Sequence, residues 1–423
     1  MYKKKSTKNG LKMVVSTMPG MSSVSLGVWI GVGGRYEAAK QSGISHLIEH
    51  MLFKGTLSRD AMDLKQSIEG VGGSFNGFTA DEVTCYMVKV PSKYMELGME
   101  ILGDMVLNPK FDEAEISREK FVICEEIKMY RDQPAEHVME LLGQIMWPGD
   151  PLGRPLTGSM TTVKGFSRND IIKFKEERYY PGNIAVVAAG KVDPEKFFIS
   201  TSRKFAGVKK GKSRSFKTPK ISQKGPKTTF HRGDTKQTHI AMGFHAPDRN
   251  LHERFAMKLM NVILGGNMSS RLFDELREKR GLCYDISSMY KRHSDVGDVV
   301  VHAGVDTSNA MKSVIAVLNQ LRLLKDKGVT RGELKRAREY AKGQFLLAME
   351  GTSSRMVWLG DRLMVHKEIP EVKYVVKMLD QVTAGDIKKV AERIFRPGYL
   401  NLAVIGNIAP GDKSRITKEL GKV

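Results

Sequence analysis

Cysteine is scarce in this chain of 423 residues: Cys85, Cys124 and Cys283 are odd in number and far apart. That excludes a disulfide framework and a cysteine-based zinc site, and it leaves the three thiols as small core residues. No apolar run approaches the roughly 18 residues that a membrane span needs. The basic N-terminal stretch Met-Tyr-Lys-Lys-Lys-Ser-Thr-Lys is followed by no apolar segment of a secretory signal, so the expected compartment is the cytoplasm. Acidic residues are also in short supply, 47 against 68 Lys and Arg, which leaves a net charge of +21. Such an excess suits nucleic acid, but it is spread along the chain, with no aromatic-basic RNA signature or zinc-finger spacing. No specific nucleic-acid binding and no membrane partner are expected. The one basic concentration, Lys209 to Lys227, holds eight basic residues and no acid among scattered Gly, Pro and Ser, and reads as a solvated linker.

What the chain does have is the pentapeptide His46-Leu47-Ile48-Glu49-His50 inside an apolar run from Ile44 to Phe53. In a helix, His46, Glu49 and His50 fall at i, i+3 and i+4 and share one face, while Leu47, Ile48, Met51 and Leu52 cover the others. Polar groups buried there without partners would cost about 1 to 3 kcal/mol each. A metal ion removes that cost. Two imidazoles at i, i+4 suit one Zn²⁺, and a carboxylate beside them can take a proton from an attacking water. The order His-x-x-Glu-His is the inverzincin signature.

The linker divides the chain into two halves that repeat at a period of about 200 residues. SVSLGVWIGVGGRYE resembles THIAMGFHAPDRN, and SGISHLIEHML is matched by RFAMKLMNVILGG. MVKVPSKYMELGMEILGDMVLNP finds VVVHAGVDTSNAMKSVIAVLNQLRLL. FDEAEISREKFVICEEIKM pairs with VTRGELKRAREYAKGQFLLAM, and RYYPGNIAVVAAGKVDP with IFRPGYLNLAVIGNIAP. The expected fold is α+β: two homologous α/β-sandwich domains, each a mixed sheet covered by helices. Their expected limits are 1–208 for a zinc-binding catalytic domain, 209–227 for the linker, and 228–423 for a second domain without a metal site. Its helix over Phe255–Leu264 contains no His or Glu.

A third ligand is needed. Asp112 to Arg131 reads as a long helix with a capping-box-like start, and Glu119, Ile123, Glu126 and Tyr130 line one face of it. Glu126 would complete a His-His-Glu set with an open position; Glu119 would orient a ligand from behind. Spacing leaves either glutamate available for either task, whereas Glu125 points elsewhere.

The segments GGRYEAAKQSGISHLIEHMLFKGT, GGSFNGFTADEVTCY and REKFVICEEIKMYRDQP resemble the pitrilysin-like (insulinase) zinc metallopeptidases over nearly the whole chain. The similarity is to the short-subunit branch that includes the mitochondrial processing peptidases. In that family a ligand glutamate follows the second histidine by about 76 residues, and His50 plus 76 is Glu126. The resemblance implies one Zn²⁺ per chain at His46, His50 and Glu126, Glu49 as general base, and Glu119 as the carboxylate behind the ligands. It implies that Arg277 and Tyr284, seven residues apart in SSRLFDELREKRGLCY, stabilise the oxyanion. In the family this pair faces the zinc from the opposite half of a clam-like chamber, so a homodimer or a homologous second subunit is expected to supply it. Ser74–Val90, which reads as a strand carrying Asn76 and Thr79, is implied to take peptide along its edge. Glu136 and Glu140 match acidic positions that engage a basic side chain near the cut in processing peptidases. Gly31, Gly33, Gly34, Gly72 and Gly73 form neither a GxGxxG nor a P-loop pattern and read as turns.

The expected activity is endopeptidase hydrolysis of extended or unfolded peptides, with targeting-peptide processing as the alternative. Readings from other classes are an inactive partner subunit, which characteristically lacks the zinc motif retained here, and a basic nucleic-acid-binding protein, which leaves the motif unexplained.

Overall fold

The computed structural model describes residues 2–212, 215–246, 253–366 and 368–423. The chain folds as two compact units. Unit one contains Met1–Lys128, Arg154–Phe216 and Leu346–Ile369; unit two contains Met129–Gly153, Lys217–Phe345 and Pro370–Val423.

Unit one is built on a six-stranded sheet: β1 (Lys3–Ser6), β2 (Lys12–Thr17), β3 (Ser23–Ile30), β4 (Ser74–Thr79), β5 (Thr84–Pro91) and β6 (Ile184–Gly190). Their order is β1-β2-β6-β3-β5-β4, parallel only between β2 and β6. The stretch expected as one strand, Ser74–Val90, is thus a hairpin. It turns where the Ala80 amide donates to the Val83 carbonyl at 2.8 Å and Glu82 is drawn into a buried ion pair with Arg35 at 2.6 Å. β4 ends the sheet, which leaves one of its backbone edges without a strand partner among the described residues.

Unit two carries β7 (Lys227–His231), β8 (Thr238–Ala246), β9 (Cys283–Arg292), β10 (Gly297–Val305) and β11 (Leu400–Ile405) in the order β7-β11-β8-β10-β9. Here β7 and β11 are the parallel pair. This order repeats β2-β6-β3-β5-β4 strand for strand, so the duplication read from the matched segments is a duplication of sheet topology.

Nearly every residue of β3 is buried, because both faces of the sheet are covered. On one face Leu26, Val28 and Ile30 join Leu47, Ile48 and Met51 of helix α1 (Ile44–Leu52) in one core. A long helix, α2 (Glu113–Asp132), packs Ile116, Ile123 and Ile127 into the same core. The next helix in the chain, α3 (Pro134–Met146), belongs to unit two and sets Val138, Leu142 and Met146 against Ala241, Val300, Ala403 and Ile405. Its counterpart in the second half follows α4 (Arg331–Ala348): α5 (Thr352–Val365) belongs to unit one and sets Met356, Leu359 and Leu363 against Trp29, Ala185 and Val187.

Each half of the chain therefore contributes a helix to the sheet of the other, and the compact units cut across the linear limits 1–208 and 228–423. Small residues make the fit. A Cβ at Gly360 would collide with the Trp29 indole, one at Gly27 with the Met356 sulfur, and one at Gly243 with the Met146 sulfur. The basic stretch after Lys209 has no helix or strand among its described residues before β7. It is not wholly solvated, since the Arg35 guanidinium stacks 3.7 Å from the Phe216 ring and Tyr36 meets that ring edge-on. No helix, among the described residues, is long and apolar enough to cross a membrane.

Candidate metal centre

Helix α1 is forced to begin where it does. Gly43 precedes it with φ 93°, a left-handed conformation in which a Cβ would sit 2.6 Å from the Thr157 carbonyl oxygen. The Glu37 carboxylate accepts from the amides of Gly43 and Ser45, both at 2.8 Å, and so satisfies the helix start. Burial pushes the Glu37 carboxyl up to about 7, against the pull of those two amides and of Arg154. With Ile44, Ser45, Leu47, Ile48, Met51 and Leu52 buried, the helix presents His46, Glu49 and His50 together on its half-buried face.

Helix α2 begins with Asp112 accepting from the amides of Ala114 and Glu115. Its inner face carries Glu119 and Glu126 to the histidines, while Glu125 turns outward to Lys128 at 2.6 Å. Glu126 Oε2 lies 3.9 Å from His46 Nε2 and 3.8 Å from His50 Nε2, and the two imidazole rings are 4.6 Å apart at their centroids. One donor atom from each of these three residues falls within 4.8 Å of the others, the one such cluster among the described residues. Glu119 Oε2 accepts from His50 Nδ1 at 2.9 Å, which leaves His50 Nε2 as the lone-pair nitrogen on the Glu126 side. Lys54 holds the other Glu119 oxygen at 2.7 Å.

The electrostatics call for a cation. Glu49, Glu119 and Glu126 bring three carboxylates to a site where Lys54 is the one ammonium paired with them among the described residues. Glu126 Oε2 is buried and has no hydrogen-bond partner among the described residues. Burial, then the neighbouring His50, pushes His46 down to about 4, so it is neutral and able to donate a lone pair near pH 7. Burial also opposes charge on His50, but the Glu119 hydrogen bond and the charges of Glu126 and Glu49 outweigh it and raise this imidazole. Two imidazoles and a carboxylate are the donor set of a catalytic zinc site with one position open, so the residues present fit the metal.

Glu49 stands beside this set. Burial raises its carboxyl and the charge of Glu126 adds to the rise, while a hydrogen bond from Thr79 and the charge of His50 act against it. Thr79 Oγ1 donates to Glu49 Oε2 at 3.0 Å. Asn76 lies on the opposite face of β4, exposed, with its Oδ1 accepting from the Gly77 amide at 2.8 Å. The structure thus brings together His46, Glu49, His50, Thr79, Glu119 and Glu126 within unit one.

The other expected site residues belong to unit two. Arg277 sits on the π-helical segment Phe273–Lys279 with its guanidinium 5.0 Å from the Tyr284 ring centre, and Tyr284 is 76% exposed at the start of β9. Glu136 and Glu140 lie one turn apart on α3, Glu136 exposed and Glu140 half-buried. Burial raises the Glu140 carboxyl, Arg131 opposes the rise, and Glu136 adds to it.

Four residues around the site escaped the sequence reading. Lys54 stands four residues after His50, just past the end of α1, and its charge beside the motif could have been noticed. Glu37 and the buried Tyr86–Tyr179 hydroxyl pair, 2.9 Å apart, are joined to the site only by the fold and left no local signal.

Comparison with known proteins bears on this arrangement. Residues 12–160 match the profile described as Insulinase (Peptidase family M16), and residues 165–340 match that of the Peptidase M16 inactive domain. The second description agrees with a helix Arg254–Leu264 that carries no His or Glu. An uncharacterized zinc protease of Bacillus subtilis is 33% identical over 411 residues, covering 94% of this chain and 97% of its own. One from Mycobacterium leprae is 32% identical over 404 residues, covering 95% and 90%. Among solved structures, a protease from Helicobacter pylori superposes with a TM-score of 0.91 at 22% identity, over 96% of this chain and 99% of that one. A peptidase M16 inactive domain from Pseudomonas fluorescens does so at 0.90 and 17%, over 96% and 98%.

Proposed function

Because this chain belongs to the insulinase family of peptidases, M16, we propose that it cuts extended or unfolded peptides internally, with Glu49 as general base. It is a zinc metalloendopeptidase, as its family and its relatives named zinc proteases indicate. His46, His50 and Glu126 are the residues that would hold one Zn²⁺. The observation that carries the reading is their convergence around a buried Glu126 oxygen that has no hydrogen-bond partner among the described residues, with a second carboxylate, Glu49, alongside.

The metal, when bound there, would supply Lewis acidity toward the scissile carbonyl and the attacking water. Glu49 takes a proton from that water and returns it to the leaving amine. Glu119 fixes the proton of His50 on Nδ1 and keeps Nε2 for the metal. The free edge of β4, which carries Asn76 and Thr79, pairs with the peptide backbone, and this favours extended substrates over folded ones. Arg277 and Tyr284 stabilise the oxyanion from a second subunit, identical or homologous, in a clam-like dimer that encloses a chamber. Residues 209–227 are the linker between the duplicated halves, 1–208 and 228–423. A reducing, cytoplasmic setting fits the three free, buried thiols.

A second reading, processing next to a basic residue, is favoured by Glu136 and Glu140, two carboxylates one turn apart on α3. Mass spectrometry of products from unstructured peptides tests both. Internal cuts that stop on chelation support the endopeptidase, and a bias to Arg or Lys near the cut that vanishes in Glu140→Gln supports the second reading. Terminal trimming alone, or no cleavage by zinc-loaded dimer, would contradict the proposal.

A further inference from the structure

Strand β4 does more than end a sheet. Its residues alternate, and Phe75, Gly77 and Thr79 share the face that looks onto α1. The Phe75 ring packs 5.3 Å from that of Phe53, which anchors the strand against the end of the helix. At Gly77 the strand comes so close to Glu49 that a Cβ would lie 2.9 Å from Oε1 and 3.2 Å from Cγ. Two residues on, Thr79 Oγ1 donates to Oε2 at 3.0 Å, the one hydrogen bond of this carboxylate among the described residues. One oxygen is tethered by the strand and the other is walled by it. Thr79 is itself held at the hairpin end, opposite Thr84, whose hydroxyl donates to the Val32 carbonyl at 2.9 Å.

A glutamate has three side-chain torsions and loses up to about 2 kcal/mol of rotamer freedom when it is fixed. A proton acceptor must be fixed, because misplacement by about 1 Å can cost on the order of a hundredfold in rate. We propose that Thr79 is a positioning residue for Glu49, its hydroxyl tethering Oε2 so that Oε1 is presented in one orientation to the water that attacks the peptide. Thr79 then acts through Glu49, and its side chain contributes little to holding the peptide. The proposal rests on the reading of Glu49 as general base.

The test compares Thr79→Val, which keeps shape and loses the hydroxyl, Thr79→Ala, a second hydroxyl-free variant, and Thr79→Ser, which keeps the donor. Zinc content, kcat and KM on a quenched fluorescent peptide are measured for each. Binding of the same peptide is measured by anisotropy in the inactive Glu49→Gln background, with and without Thr79→Val. The expected result is a kcat lowered about 10- to 100-fold in the two hydroxyl-free variants, with KM within about twofold and zinc retained. Thr79→Ser recovers kcat, and peptide affinity in the Glu49→Gln background is unmoved by Thr79→Val. Unchanged kcat in zinc-loaded Thr79→Val overturns the proposal. So does a rise in KM matched by weaker peptide binding in the Glu49→Gln background, which would make Thr79 a peptide contact. Cleavage by Glu49→Gln itself would remove the general-base reading and this proposal together, an outcome separate from an inactive Glu49→Gln beside a fully active Thr79→Val.

Discussion

Replacing Glu119 with glutamine isolates the role of the carboxylate behind the histidines. The wild-type residue accepts from His50 Nδ1 at 2.9 Å with one oxygen and from Lys54 at 2.7 Å with the other. Glutamine keeps the length and can still accept from His50, but through a neutral oxygen. Hydrogen bonds to charged groups contribute about 1.5 to 3 kcal/mol against about 0.5 to 1.5 for neutral ones. The substitution should therefore remove about 1 to 1.5 kcal/mol of support for His50, a loss of roughly 5- to 13-fold in zinc affinity. That sits at the low edge of the roughly 10- to 100-fold range for partners of metal ligands. Lys54 is 32% exposed, so water can replace its lost partner and the fold should survive. Competition with a chromophoric chelator at neutral pH measures the zinc affinity directly. At saturating zinc, cleavage should recover most of its rate, since Glu49, His46, His50 and Glu126 remain. Zinc affinity within twofold of wild type would refute the reasoning, and so would a large loss of rate that added zinc does not restore.

Gly360→Ala should destabilise unit one by about 1 to 3 kcal/mol in urea unfolding, because the added Cβ has to displace the Trp29 indole; unchanged stability would contradict the close packing of α5 on β3. Gly77→Ala should leave zinc binding intact and lower cleavage by pushing the Glu49 carboxylate aside, which metal analysis and a peptide assay on the same sample will check. Glu37 has a carboxyl raised to about 7 in the folded state against 4.5 for the free group, so the folded protein holds this proton more tightly than the unfolded chain does. Its contribution to stability is full below about pH 4.5 and lost as pH rises through about 7, a swing on the order of 3 kcal/mol. Urea unfolding of metal-free wild type and Glu37→Gln at pH 5 and pH 8 should show that difference, and equal pH dependence in the two would count against it. Mixing Glu49→Gln chains with Arg277→Ala chains should restore cleavage if each chain lends its arginine to the other's zinc, and no restoration would argue against the shared site.

The local chemistry was legible because helices expose their periodicity. The i, i+3, i+4 spacing put His46, Glu49 and His50 on one face, and α2 carried Glu119 and Glu126 on one face in turn. Periodicity could not divide the roles of those two glutamates, since both point the same way; only the resemblance assigned them. Matched segments revealed a duplication that the two sheet orders repeat. The exchange of α3 and α5 was illegible for a plain reason. Each shows an apolar stripe, and a stripe says that a helix must be covered without saying by which sheet. The answer lies in pairs such as Gly360 with Trp29 and Gly243 with Met146, far apart in the chain and complementary only in space. Phe216 was likewise hidden in a basic stretch whose composition suggested a solvated linker, although its ring sits against Arg35 and Tyr36.

The most direct test of the central claim is zinc content measured together with cleavage of a quenched fluorescent peptide, on wild type, chelator-treated wild type and Glu49→Gln. The account predicts about one zinc per chain in wild type and in Glu49→Gln, with cleavage abolished by the chelator, restored by zinc, and absent from Glu49→Gln. Cleavage that persists in Glu49→Gln, or in protein stripped of its metal, would contradict it.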